Sequence, residues 1–130
     1  RAMKEKNIPI LQHHLYEGAY TSEWGEEAIQ QLIQDGHGFD SIFCGNDMIA
    51  AGVLKGLHRH GLNVPKDIGV VGFDDVDIAQ LVTPELTTVR QPKYEMGSKA
   101  AEILIKMINK ENNNQLEYCF ETELIIRDSI

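Results

Sequence analysis

The chain has 130 residues, of which 42% are apolar and 25% are charged, a composition typical of one globular domain with a hydrophobic core. Its formal net charge of −8 opposes contact with a phosphate backbone, so this segment is not expected to bind nucleic acid directly. No apolar run approaches the roughly 20 residues that a membrane span needs.

The start of the chain and its cysteines point to a piece of an intracellular protein. The first residues, RAMKEKNIPI, contain neither an initiator Met nor an apolar signal sequence, and they begin inside a helix-like segment. We therefore expect a fragment of a longer protein. Cys44 and Cys119 fit no metal-binding spacing, and they indicate reduced thiols in a cytoplasmic protein.

Strand-like and helix-like segments alternate along the chain. Apolar patterning predicts strands over 8–16, 41–45, 67–73, 86–91 and 121–128, helices over 22–36, 46–61 and 94–110, and a polar loop over 112–115. Ser22 and Asn46 are suitable helix N-caps. Crossovers of this length predict an α/β fold with a doubly wound, mostly parallel sheet.

Polar residues follow the predicted strands, where ligands of open α/β sheets bind. Tyr20 follows the first strand, Asn46 the second and Asp74 the third, and Gln91 comes at the end of the fourth, beside Arg90. Carboxylate and amide groups can each engage two neighbouring hydroxyls, and an aromatic ring can cover the apolar face of a sugar. The set therefore suits a small polyhydroxylated ligand.

Each of these residues also has a purely structural interpretation. Asn46 can serve only as an N-cap, and Asp47 can interact with the helix dipole in the first turn. The acids at 74–75 can cap the turn that follows, Tyr20 can be half-buried, and Arg90 can lie on the surface.

Metal and catalytic sites are not indicated. His13 and His14 are adjacent, whereas His58 and His60 are two apart on a helix, so neither pair converges on a metal. The strands are followed by neither a glycine-rich phosphate loop nor a nucleophile elbow. We therefore predict no catalytic residue, no metal and no cofactor.

Several motifs together resemble the effector-binding region of LacI/GalR-type bacterial transcription repressors. They are SIFCGNDMIAAGVLKGLHRHGLNVPKDIGVVGFDD, then TPELTTVRQP, then MGSKAAEILIKMI. The resemblance implies a periplasmic-binding-protein-like fold, of which 8–91 and 119–130 would form the C-terminal subdomain. The helix within 92–111 would belong to an N-terminal subdomain outside this chain, as would a DNA-binding headpiece.

The resemblance also implies roles for particular residues. Tyr20, Asn46, Asp74 and Gln91 match ligand-contacting positions, and Lys93 lies nearby at the hinge. Ala19 stands where many members have Asp, which removes one possible hydroxyl contact. Residues expected at a homodimer interface are Met48, Ala51, Leu54, Leu81 and Val82.

The function implied is ligand sensing and dimerisation in a regulator that responds to a small molecule, a sugar or a sugar phosphate. Operator DNA would be reached only through the headpiece, and no membrane partner is expected. The alternative from another class is a sugar-binding protein of a transport system with the same fold.

Overall fold

The computed structural model describes residues 2–9, 12–36, 38–111 and 117–130. Five α-helices are assigned in this part of the chain: α1 (Ala2–Glu5), α2 (Ser22–Asp35), α3 (Asp47–Arg59), α4 (Ile78–Leu81) and α5 (Lys93–Ile108). The strands are β1 (Ser41–Phe43), β2 (Gly69–Asp74), β3 (Thr87–Arg90) and β4 (Glu123–Ile125), and Gln12–His14 forms one turn of 3₁₀-helix.

The strands form one sheet in the order β1-β2-β3-β4. β1, β2 and β3 run parallel, and β4 pairs antiparallel with β3. The mostly parallel α/β sheet predicted from the alternating pattern is therefore confirmed. Because the three parallel strands share a direction, their carboxyl ends meet at one edge of the sheet.

The core lies between the sheet and the helices α2 and α3. Its buried apolar members include Ile29 and Leu32 of α2, Leu57 of α3 and Val70 of β2. A Cβ atom at Gly52 would collide with the backbone of Ser22, so glycine is what allows the two helices to approach this closely. Burying these side chains is the main force that holds the helices on the sheet.

The ends of the helices follow ordinary capping chemistry. Asn46 is the N-cap of α3, as predicted, and its side chain accepts a hydrogen bond from the Ile49 amide at 2.8 Å. For α2 the predicted cap Ser22 is wrong, because the Thr21 hydroxyl instead accepts from the Trp24 amide at 3.2 Å. Gly36 ends α2 in the left-handed conformation.

The predicted strand over 8–16 is wrong for the part that the structure describes. Ile8 and Pro9 are irregular, Gln12–His14 is a 3₁₀ turn, and residues 10 and 11 lie outside the described residues. Pro9 has no N–H to donate to a strand ladder, which weakens any strand through this segment. The predicted polar loop over 112–115 also lies outside the described residues.

Helix α5 differs from α2, α3 and α4 in having no buried residue. Its exposed apolar side chains include Tyr94, Met96, Leu104, Ile105, Met107 and Ile108. Among the described residues, no helix is both long enough and apolar enough to cross a membrane.

Candidate ligand-binding site

The candidate site lies at the carboxyl edge of the three parallel strands. Phe43 of β1 pairs with Val71 of β2. Asn46 lies three residues after Phe43, and Asp74 lies three residues after Val71, so the two are at matching positions on neighbouring strands. Asp74 itself pairs with Arg90 of β3, and Gln91 is the next residue. The sheet register thus places three of the predicted ligand-binding residues along one edge.

Asp74 and Gln91 are in direct contact. The Gln91 Nε2 amide donates to the Asp74 Oδ1 oxygen at 2.5 Å. The second carboxylate oxygen of Asp74 and the amide oxygen of Gln91 add further acceptors to this pair. A carboxylate held by an amide in this way can accept hydrogen bonds from ligand hydroxyls without losing its orientation.

Tyr20 lies on the β1 side of the same edge. Its ring is close to Gly45, since a Cβ atom at Gly45 would lie 3.6 Å from the Tyr20 Cε1 atom. Tyr20 is 71% exposed, so its ring is available to a ligand and is not half-buried. Gly45 directly precedes Asn46, whose side-chain oxygen already caps α3. The Asn46 amide nitrogen is the part of this side chain that a ligand can still use as a donor.

A cavity of about 650 Å³ adjoins Tyr20 and Gly45. Its lining is mainly apolar and includes Trp24, Phe39 and Cys44. Burial, together with the charge of Asp47, raises the pKa of the Cys44 thiol to about 12. Cys44 is therefore a neutral, unreactive packing residue at physiological pH.

Asp75 is a structural anchor at the end of β2. Its Oδ1 oxygen accepts from Arg127 Nη2 at 2.6 Å, and its Oδ2 oxygen accepts from Arg90 Nε at 2.7 Å. The carboxyl side chain is only 6% exposed. Burial opposes ionisation, but the hydrogen bonds from Arg127 and Arg90 outweigh it and lower the pKa of Asp75 below its ordinary value.

Arg90 is consequently committed to the fold. Besides its bond to Asp75, its Nη1 atom donates to Glu123 at 3.2 Å across the β3–β4 pair. The structure therefore favours the structural interpretation of Arg90 over ligand binding, because its charge is already paired on both sides.

Asp47 is a second buried anchor whose extent the sequence did not reveal. Its Oδ1 oxygen accepts from the Thr88 hydroxyl at 2.5 Å, and its Oδ2 oxygen accepts from the Val76 amide at 2.8 Å. Asp47 also occupies the first turn of α3, as predicted. The Asp47 carboxylate lies so close to Gly72 of β2 that no side chain would fit at that position. A glycine in the middle of a strand, facing a helix start, is the sequence signal that could have indicated this contact.

Comparison with known proteins identifies the fold and the family. The sequence matches the periplasmic binding protein-like domain family over residues 1–130. It is 40% identical over 111 residues to catabolite control protein A of Priestia megaterium, covering 85% of this chain and 33% of that protein. It is 34% identical to the HTH-type transcriptional repressor CytR of Escherichia coli K12, covering 99% of this chain and 38% of that protein.

A solved structure agrees with these sequence matches. The transcriptional regulator CelR–cellobiose complex superimposes with a TM-score of 0.93 at 29% identity, covering 98% of this chain and 39% of that one. The chain belongs to the periplasmic-binding-protein-like family of LacI-type regulators. It spans between a third and two fifths of the length of these relatives, which include transcription regulators.

Within this LacI-type fold, the predicted dimer-interface residues occupy different environments. Leu81 is 75% exposed, Met48 is exposed, and Ala51 and Val82 are partly buried. Leu54 belongs to the core of the single chain and is only 6% exposed, so it offers little surface to a partner. The interface prediction therefore depends on the other four residues.

The described residues include no group of three or more His, Cys, Asp or Glu side chains that could hold a metal ion. His58 and His60, for example, lie at the exposed end of α3, where His60 Nδ1 contacts the Gly56 carbonyl at 2.9 Å. The polar groups of this LacI-type domain are instead arranged for hydrogen bonding at the carboxyl edge.

Proposed function

We propose that this chain is the ligand-sensing and dimerisation part of a LacI-type transcriptional regulator that responds to a sugar or a sugar phosphate. The observation that carries the proposal is the Asp74 carboxylate, held by Gln91 at the carboxyl edge of the sheet, the edge along which Asn46 follows β1 and Tyr20 lies beside Gly45. The protein acts in the cytoplasm by binding and conformational change, without catalysis. DNA contact is made by a headpiece outside these 130 residues.

The chemistry of the site supports a polyhydroxylated ligand. Asp74 supplies a charged acceptor, Gln91 and Asn46 supply amides, and Tyr20 supplies an exposed ring. Hydrogen bonds to a charged group are about twice as strong as neutral ones, so Asp74 fixes the orientation of the ligand hydroxyls. The relative that was solved with cellobiose is consistent with this class of ligand.

Calorimetric titration of the full-length protein with cellobiose, glucose, ribose and the corresponding sugar phosphates tests the proposal. At least one of these compounds should bind, and Asp74→Asn should weaken that binding by about 10- to 100-fold, because a charge-assisted hydrogen bond contributes about 1.5–3 kcal/mol. Asp77→Asn is the matched control, since Asp77 is exposed and its side chain does not cap α4. Equal affinities for the Asp74 and Asp77 variants would contradict the assigned site.

The exposure of helix α5 favours the presence of a second subdomain on the other side of the ligand. We assign 92–111 to that N-terminal subdomain because α5 has no buried residue and exposes Leu104, Ile105 and Ile108. A ligand that bridges the two subdomains biases their relative angle and so the spacing of the paired headpieces. The isolated 130 residues should accordingly bind the sugar at least tenfold more weakly than the full-length protein.

The homodimer contact is assigned to the exposed surface around α4 and the start of α3. Leu81 and Met48 are exposed apolar residues on this surface, with Ala51 and Val82 beside them. Leu81→Asp should lower the dimer fraction of the full-length protein in light scattering, because burying a charge in an apolar contact is unfavourable. Gln80→Asp, at an exposed neighbouring position, is the control. A dimer fraction that is equal in both variants would place the interface elsewhere.

A further inference from the structure

Lys93 occupies an unusual position at the start of α5. It is the first residue of the helix, where the helix dipole disfavours a positive charge. Its ammonium group donates to the backbone carbonyl oxygens of Asp74 at 2.9 Å and of Asp75 at 3.0 Å. The side chain therefore turns back from the helix to the end of β2.

The turn that Lys93 contacts has a strained backbone. Asp74 has a φ of 109° and Asp75 a φ of 51°, both in the region that residues other than glycine rarely adopt. Two such residues in succession persist only when their surroundings fix them. The carbonyl groups of both residues accept from one ammonium group. Lys93 therefore favours the backbone conformation in which both carbonyls point toward it.

Contacts from several parts of the chain hold this turn. Gln91 binds the Asp74 carboxylate, Arg90 and Arg127 bind the Asp75 carboxylate, and Asp47 accepts from the Val76 amide that follows the turn. These contacts act on side chains or on the residue after the turn, whereas Lys93 contacts the backbone carbonyls of both strained residues. The orientation of the Asp74 carboxylate depends on the backbone that carries it.

We propose that Lys93 is a positioning residue that holds the Asp74–Asp75 turn in its left-handed conformation, so that the Asp74 carboxylate is oriented for ligand before ligand arrives. This inference deepens the proposed function and depends on it for the role of Asp74. In this role Lys93 acts on Asp74 through the backbone of the turn. Arginine keeps the positive charge and several N–H donors for carbonyl oxygens, whereas methionine, of similar length, has neither.

Hydrogen exchange measured by mass spectrometry on the ligand-free full-length protein tests the backbone part. Lys93→Met should speed amide exchange in peptides covering 75–77 by about tenfold, and Lys93→Arg should stay close to the wild type. Lys99→Met is the matched control, because Lys99 lies on the same helix and pairs with Glu102. Unchanged exchange in Lys93→Met, or equal acceleration in Lys99→Met, would overturn the inference.

Titration with the sugar that binds best in the panel tests the ligand part. Lys93→Met should raise the dissociation constant about tenfold while the melting temperature changes by only about 2 °C, and Lys93→Arg should restore the affinity. A parallel loss of affinity and melting temperature that arginine does not rescue would mean that Lys93 only stabilises the fold. Failure of the wild type to bind any sugar would contradict the proposed function, and the exchange experiment would still decide the role of Lys93 in the turn.

Discussion

The carboxylates of Asp75 and Glu102 are each held by two cations, and they lie in contrasting regions. Asp75, at the end of β2, is bound by Arg90 and Arg127, which come from β3 and from the segment after β4. Glu102, in the middle of α5, is bound by Lys99 and Lys106, which lie three and four residues away on the same helix. The Asp75 side chain is 6% exposed, whereas that of Glu102 is 45% exposed.

A larger pKa shift does not mean that a charge network contributes more to the stability of the fold. Hydrogen bonds from Lys106 and Lys99 lower the pKa of Glu102 to about 2, although water screens these exposed charges. Each ion pair of the α5 network joins residues about one helical turn apart, so the network adds no contact between distant segments. Asp75 joins parts of the chain that are 15 and 52 residues away, so its loss would remove contacts between distant segments.

The largest expected difference between the two regions is in apolar packing. Leu57→Ala in α3 should lower the free energy of unfolding by about 3 kcal/mol, because Leu57 is fully buried and the truncation leaves a cavity. Leu104→Ala in α5 should change the stability of the isolated chain by less than about 0.5 kcal/mol, since Leu104 is exposed. Urea unfolding of both variants provides the measurement. A comparable loss in both would mean that α5 is packed in solution.

Breaking the Asp75 network should likewise lower stability more than breaking the Glu102 network, but the difference should be smaller than for the apolar residues. Asp75→Asn at pH 7 should lower the free energy of unfolding by about 2 kcal/mol, because it leaves the Arg127 guanidinium, only 10% exposed, with the more distant Glu85 carboxylate at 3.9 Å in place of a hydrogen-bonded one. Glu102→Gln should leave the melting temperature nearly unchanged, because exposed ion pairs contribute little. Calorimetric unfolding of both variants under the same conditions would show this difference. A larger effect at Glu102 than at Asp75 would reverse the ranking.

Local features of this structure could be predicted from the sequence, whereas its long-range contacts could not. The Asn46 cap, the parallel strands and the placement of Asp74 beside Gln91 follow from patterns within short windows or from strand order, and these were predictable. The bond from Asp75 to Arg127 and the bond from Asp47 to Thr88 join residues 52 and 41 apart. A local pattern does not specify which distant side chain binds which carboxylate, so the sequence indicates only a turn residue at Asp75.

The smallest expected effect is the acid dependence of the Asp75 network. The pKa of Asp75 is lower in the folded protein than the value of about 3.9 in an unfolded chain. Because the fold favours the ionised form, the stabilisation is complete above that unfolded value and is lost as the pH falls through the folded pKa. The stability gap between the wild type and Asp75→Asn should therefore be constant from about pH 7 to pH 5 and should narrow below about pH 4.

Urea unfolding of the wild type and of Asp75→Asn at pH 7, 5, 4 and 3 measures this gap directly. Other carboxylates titrate in both proteins, and their contributions cancel in the difference as long as they do not couple to Asp75. Glu123 shares Arg90 with Asp75 and could couple, so Glu123→Gln in both backgrounds separates its contribution. A gap that widens on acidification would show that the two arginines do not favour the ionised form. A gap that narrows only below about pH 4 would show that the bonds from Arg90 and Arg127 stabilise the ionised Asp75 carboxylate in the folded protein.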